Sequence, residues 1–287
     1  MDFHGVAENA SFSSSTSVKI GILGGIGPEA TGEFYSKLIK ELQKRKLIER
    51  NIDFPHIVIN SIPASELVFD KIPDNDLKPY IEGLQFLDKS GADFILNAPE
   101  TAAFRRHVLE AHSGSHVQNK PTPLGVGISE HVIVMVCNTI HLYYDRLQKE
   151  IKTPLLDLRE EVKKVLAKKG KRVLVLGTPA TIKHGLYKFP GIKYSTLTKK
   201  EMNDISVSIL RFNRGIGSRS PANICKRHTK NGSQIVLACT ELSLMLEKEN
   251  IPNINTVDVL VDATVNKFLY YRLQKNNKQR GRLKSRT

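Results

Sequence analysis

Cysteine is scarce in this chain. Three in 287 residues are too few to staple a protein of this length, so the fold must rest on a buried core rather than on disulfides. Each lies among apolar or helical residues, which favours reduced thiols and a cytoplasmic setting. Long apolar runs are also missing: no stretch approaches the roughly 20 residues that span a bilayer. Residues 1–17 contain neither a basic segment nor an apolar centre, which argues against a secretory signal and for a disordered leader. No pair of cysteines has C-x-x-C spacing, and the cysteines belong to separate elements, so a zinc site is not expected. His107, His112, His116 and His131 are separated by Gly and Pro. They read as a solvated loop rather than as ligands, and no metal is expected.

Acidic residues are outnumbered, 29 against 43 basic, for a net charge of +14. Half of that excess sits in residues 272–287, which hold seven Lys or Arg and no acid. No aromatic side chain is interleaved there for base stacking, so a frayed, solubilising tail is expected and nucleic-acid binding is not.

Two near-copies of one pattern stand out. The first is IVMVCNTIHLYYDRLQKEIKTPLLD over 133–157, and the second is IVLACTELSLMLEKENIPNINTVD over 235–258. Each runs from a β-branched apolar stretch to a cysteine, a polar pair, an amphipathic segment, a proline and a second apolar run ending in Asp. Parallel α/β alternation surrounds both copies. VKIGILGG (18–25) and HIVIN (56–60) read as strands. PEATGEFYSKLIKELQKRKL reads as a helix with proline at its start, and DLKPYIEGLQFLDKSG as a helix ending at Gly91. KRVLVLGT (171–178) opens the second half, where TPATIKHGLYKF mirrors GPEATGEFY. The expected fold is therefore α/β, in two similar parallel-sheet units. Each unit delivers a cysteine, Cys137 or Cys239, to the C-terminal end of a strand, where α/β sheets bind ligands.

The copies differ at one place. In the second, KNGSQIVLACTE leads straight to its cysteine. In the first, residues 96–133 separate KSGADFI from VMVCNT, and their removal would give the gapless KSGADFIVMVCNT. APETAAFRRHVLEAH within this insertion could form a short helix. The segment reads as an added lobe, a substrate lid or translated non-coding sequence.

GILGGIGPEAT (21–31) departs from the dinucleotide fingerprint, because Ala30 takes the third glycine's place and the second strand ends in Asn60 rather than an acid. A tight turn opening a cleft for a small carboxylate fits better. The hydroxyls, amide and helix-start N–H groups of Asn138-Thr139 and Thr240-Glu241 could hold that carboxylate, and helix starts also acidify thiols. His141, four residues after Cys137, could tune the thiol or pack in a helix. Cys225, in NICKRHTK, falls outside the repeat and reads as a surface or packing residue.

GILGGIGPEAT, VCNTIH, GTPATIKHGLY and LACTEL together resemble the aspartate/glutamate racemase superfamily, its aspartate racemase branch in particular. The resemblance spans about Val18 to Leu269, apart from the insertion. It implies two α/β domains related by a pseudo-twofold axis with the active site between them. These would be residues 18–155 plus 253–271, and 156–252. It implies a cofactor-independent isomerase acting on a small amino acid, no pyridoxal group, and a homodimer. It carries the two acid/base thiols onto Cys137 and Cys239, and carboxylate contacts onto Asn138, Thr139 and Thr240. Asn60, Thr181, Arg214 and Glu241 complete the candidate substrate contacts, Arg214 as the cation. One departure affects specificity: the loop NSIPASELVFDK has no arginine where aspartate racemases carry one. A thiol-dependent isomerase of another small acid, or an inactive relative with an interaction role, remains the alternative.

Overall fold

The computed structural model describes residues 18–65, 67, 73–97, 131–167 and 172–284. The leader and most of the insertion, including its candidate helix and His107, His112 and His116, lie outside them. The first unit contains β1 (Lys19–Gly24), α1 (Pro28–Lys44), β2 (His56–Ser61), α2 (Lys78–Asn97), β3 (His131–Met135) and α3 (Tyr144–Lys149). Then follow α4 (Leu158–Leu166), β4 (Val173–Gly177), α5 (Pro179–Lys183), α6 (Lys199–Phe212), α7 (Ser220–Lys230), β5 (Gln234–Ala238), α8 (Thr240–Leu246), β6 (Asn253–Asn255) and α9 (Thr256–Lys284). Among the described residues, no helix is long and apolar enough to cross a membrane.

Two parallel sheets result, ordered β2-β1-β3 and β4-β5-β6. Two isolated bridges complete the repeat. Ile133 pairs with Leu155 beside β3, and Val173 pairs with Tyr194 beside β4. Leu155 thus stands to β3 as β6 stands to β5, and both follow the proline that closes each sequence copy. The expected two-unit α/β fold is what forms. Residues 253–271 are shared between the units: β6 joins the second sheet, while α9 packs along α1 and α4. One apolar cluster joins both halves, with Ile20, Val134, Val236, Ile254 and Phe268 among its members.

Three expectations about local structure change. Helix α2 does not stop at Gly91 but continues to Asn97, so GADFIL is helical. Strand β3 is instead built from His131, Val132 and Ile133, the last residues of the insertion, together with Val134 and Met135. The ladder to β1 needs five consecutive partners, and whichever segment precedes Val134 must supply three of them. The basic tail, expected to fray, continues α9 as helix to Lys284.

Residue borrowing in β3 has an electrostatic cost. His131 pairs with Lys19 in the register, and both are buried. Burial, reinforced by the Lys19 and His56 charges, lowers the His131 pKa to about 4, with Asp88 opposing. An unfolded histidine titrates near ~6.5, so the unfolded state binds more protons between these values. Stability should therefore fall as pH drops from about 6.5 toward 4. His131→Val should flatten that limb in thermal melts recorded from pH 7 to 4.5. Joining Ile95 directly to Val134 would put Asp93 in the place of His131, opposite Lys19. That deletion should raise Tm by at least about 3 °C, since 1 kcal/mol shifts a domain of this size by roughly 2–4 °C. A lower Tm with a shorter β3 would show that the insertion is required for the sheet.

Candidate active site

Both cysteine strands end at one cleft. Cys137 follows β3, and Cys239 is the extended residue that begins α8. The cleft has a volume of about 450 Å3, part of it open to solvent, and both sulfur-bearing residues line it. Asn138, Thr139, Thr178, Thr240 and Glu241 supply its polar wall, while Ile26, Ala64, Leu67 and Ile209 supply an apolar one.

Hydroxyls tie the halves together beneath the thiols. Thr139 Oγ1 lies 3.0 Å from Thr178 Oγ1 and 3.1 Å from Thr181 Oγ1, and these two hydroxyls also bond to each other. Thr178 caps α5 by accepting from the Thr181 N–H. Tyr187 donates to Asn138 Oδ1 at 2.5 Å. The Asn138 Nδ2 donor is buried without a partner. A buried amide donor left unmade is costly, so this group is suited to an incoming acceptor.

The glycine turn explains itself by contact. Gly25 has φ +88°, and a Cβ there would lie 2.2 Å from the Ile62 carbonyl oxygen. Gly27 has φ +87°, and a Cβ there would lie 2.6 Å from Glu241 Oε1. The turn is thus shaped by close approach of β2's continuation and of Glu241. Glu241 in turn accepts hydrogen bonds from the Cys239 thiol at 2.9 Å and the Thr240 hydroxyl at 3.0 Å, both at Oε2.

The thiols have unequal surroundings. Burial pushes the Cys137 pKa up to about 12, while backbone N–H groups of Ile140 and Thr139 pull against it. Burial pushes Cys239 well above the usual thiol range, and the Glu241 carboxylate pushes it further. His141 does not touch the sulfur. It is fully buried, and its Nδ1 lies 2.8 Å from the Cys137 carbonyl oxygen, to which it must donate. Burial lowers its pKa, so a neutral imidazole fixes the cysteine's backbone.

Three sequence candidates are positioned away from the cleft wall. Asn60 bonds the Gly83 carbonyl and fastens β2 to α2. Thr181 stands behind Thr139 rather than in the lining. Arg214 is exposed just past α6, while its neighbour Asn213 lines the cleft. Of the two readings of Cys225, packing is the one that holds: it is fully buried with Ile205, Ile209 and Ile235. Among the described residues, no group of three or more His, Cys, Asp or Glu could hold a metal ion. Tyr187 and the Gly27–Glu241 contact escaped the sequence reading. The mirrored GTPATIKHGLY was the one available signal for Tyr187.

A two-sheet α/β protein presenting one cysteine from each repeat to a shared cleft is a narrow structural class. Residues 129–264 match the Asp/Glu/hydantoin racemase family model. The match begins at the last residues of the insertion. A broad specificity amino-acid racemase, RacX, from Bacillus subtilis is 27% identical over 88% of this chain and 99% of its own. The aspartate racemase of Picrophilus torridus superposes with a TM-score of 0.61 at 22% identity, covering 89% of this chain and 98% of that one. An aspartate racemase homologue from Pyrococcus horikoshii gives 0.54 at 20% identity, over 88% and 99%. Over residues 129–264, which hold both cleft cysteines, the chain is similar to the Asp/Glu/hydantoin racemase family, and its fold is shared with the aspartate racemase structures.

Thiol labelling checks these surroundings directly. With iodoacetamide between pH 7 and 9.5, Cys225 should stay unmodified until the protein unfolds. Cys137 should label ahead of Cys239, because thiolate is the reactive form and Glu241 holds the Cys239 proton in place. Peptide mass spectrometry reads the order.

Proposed function

We propose that this protein is an amino-acid racemase in which Cys137 and Cys239 act as opposed acid and base. The observation that carries the proposal is the convergence of both thiols on one cleft from equivalent strand ends. The α-proton of an amino acid is weakly acidic, so the developing carbanion needs its carboxylate neutralised by fixed donors. The unpaired Asn138 amide and the Thr139 hydroxyl supply donors in the polar wall. One thiolate takes the α-proton from one face and the other thiol returns a proton to the opposite face. Positioned acid–base groups of this kind contribute about 10²–10⁴-fold each.

For the substrate, the cleft supports an uncharged side chain. Its described lining includes Ile26, Ala64, Leu67 and Ile209, with no Lys or Arg. Among the described lining residues a side-chain carboxylate would meet no cation and would lie close to Glu241, at a considerable desolvation cost. The broad specificity of the Bacillus subtilis relative accords with this.

The test is α-hydrogen exchange and loss of optical rotation in deuterated water, across neutral, acidic and basic amino acids of both hands. Neutral substrates of moderate size should turn over fastest, at least 10-fold ahead of aspartate and glutamate. Cys137→Ser and Cys239→Ser should each cut racemisation by more than about 10²-fold, while Cys225→Ser keeps activity within about twofold if its core packing tolerates the hydroxyl. A fully active Cys239→Ser variant would refute the two-thiol mechanism, and preference for aspartate would refute the side-chain assignment.

A further inference from the structure

Glu241 has a relationship to Cys239 that substrate binding does not explain. Its carboxylate is buried, accepts the thiol at 2.9 Å and accepts the Thr240 hydroxyl on the same oxygen. The turn at Gly27 closes over its other oxygen, leaving no room for a side chain there. The ionisable side chains of the described cleft lining are Cys137, Cys239 and Glu241. Gly27, in the β1–α1 turn, lies against its Oε1, and Glu33 of α1 is engaged by Ser243 and Lys37.

We infer that Glu241 is the proton store of the thiol pair, exchanging one proton with Cys239 so that a thiolate forms without adding charge to the buried cleft. This rests on the racemase reading above. In the resting site Glu241 is a carboxylate and both cysteines are thiols, so one negative charge is present. The Cys239 S–H bond breaks as an O–H bond forms at Glu241 Oε2, and the charge passes to sulfur. The thiolate then takes the α-proton and becomes a thiol again. The electron pair left on the α-carbon takes a proton from the Cys137 thiol on the opposite face, which leaves Cys137 as thiolate. Glu241 returns its stored proton to Cys137, directly or through water, and the resting state is restored. Atoms and charge balance at every step, with one negative charge throughout. Direct ionisation of either thiol to solvent would place a second charge beside the carboxylate. Both thiol pKa values are already raised by burial and by that carboxylate.

Glu241→Gln tests this, since the amide keeps a hydrogen-bond acceptor but cannot take the proton. We expect kcat/KM to fall about 10²-fold or more, equally for both enantiomers, because a racemisation equilibrium of one ties the two directions together. The residual activity should climb steeply with pH as solvent hydroxide replaces the carboxylate, a rise that the unsubstituted protein lacks between pH 6.5 and 8.5. Cys239 should label several-fold faster with iodoacetamide at pH 8 in the variant, a readout independent of turnover. Thermal melts confirm that the variant is folded. A loss under threefold, or a larger loss with an unchanged pH profile and unchanged labelling, would overturn the proton-store role. Full activity of Cys239→Ser would instead defeat the underlying two-thiol reading, so the two failures are distinguishable.

Discussion

The shared apolar core is the constraint on which the cleft depends. β1 and β3 from one sheet and β4, β5 and β6 from the other contribute to a single cluster, sealed by α4 and α9. Neither sheet buries that face by itself, so the halves fold onto each other and their strand ends are held in fixed relation. Cleft geometry is then a by-product of core packing. The cysteines need only follow equivalent strands to meet. The hydroxyl bonds among Thr139, Thr178 and Thr181 add direction to a joint that apolar packing, being non-directional, cannot specify.

Burial gives the site a second problem. A dry cleft strengthens electrostatic stabilisation of a carbanion, yet the same dryness raises both thiols out of their working range. The protein answers differently on the two sides. At Cys137, backbone N–H groups at the start of the Thr139–Tyr143 helical turn face the sulfur, and His141 pins the cysteine carbonyl from behind. At Cys239, the thiol donates a hydrogen bond to a carboxylate. A repeat that is symmetric in backbone is thus asymmetric in chemistry, because Asn138-Thr139 and Thr240-Glu241 are different pairs.

Much of this was legible in the sequence because it is periodic or local. Strand runs, the cysteine copies and the post-strand prolines all recur, and the structure even turns the second apolar run of each copy into the matching bridge at Leu155 and strand at β6. What escaped depends on distance in three dimensions. Asn60 looked available for a ligand at a strand end, but α2 brings the Gly83 carbonyl to it. Arg214 lies one residue from the cleft-lining Asn213 and is exposed outside that lining. Gly27 read as part of a tight turn opening a cleft, but nothing local showed that its nearest obstruction is a carboxylate more than two hundred positions away in the chain. Cys225, for which surface and packing readings were both open, takes the second: it occupies the buried stripe of an amphipathic helix whose cations take the other face.

The interruption before Val134 shows how little sequence a central parallel strand demands. β3 is flanked by β1 and by the Leu155 bridge, and buried on both faces. Such a position selects for backbone pairing and small apolar bulk more than for particular side chains. Val132 and Ile133 satisfy it as readily as the Phe94 and Ile95 that the repeat would supply. The exception is the first position, where the register sets a buried residue beside Lys19. A histidine there must stay neutral, and an aspartate there would carry the opposite charge. The strand's identity is therefore decided at its N-terminal end, remote from Cys137. The thiol keeps its place because the last residues of the strand, Val134 and Met135, belong to the repeat in either case.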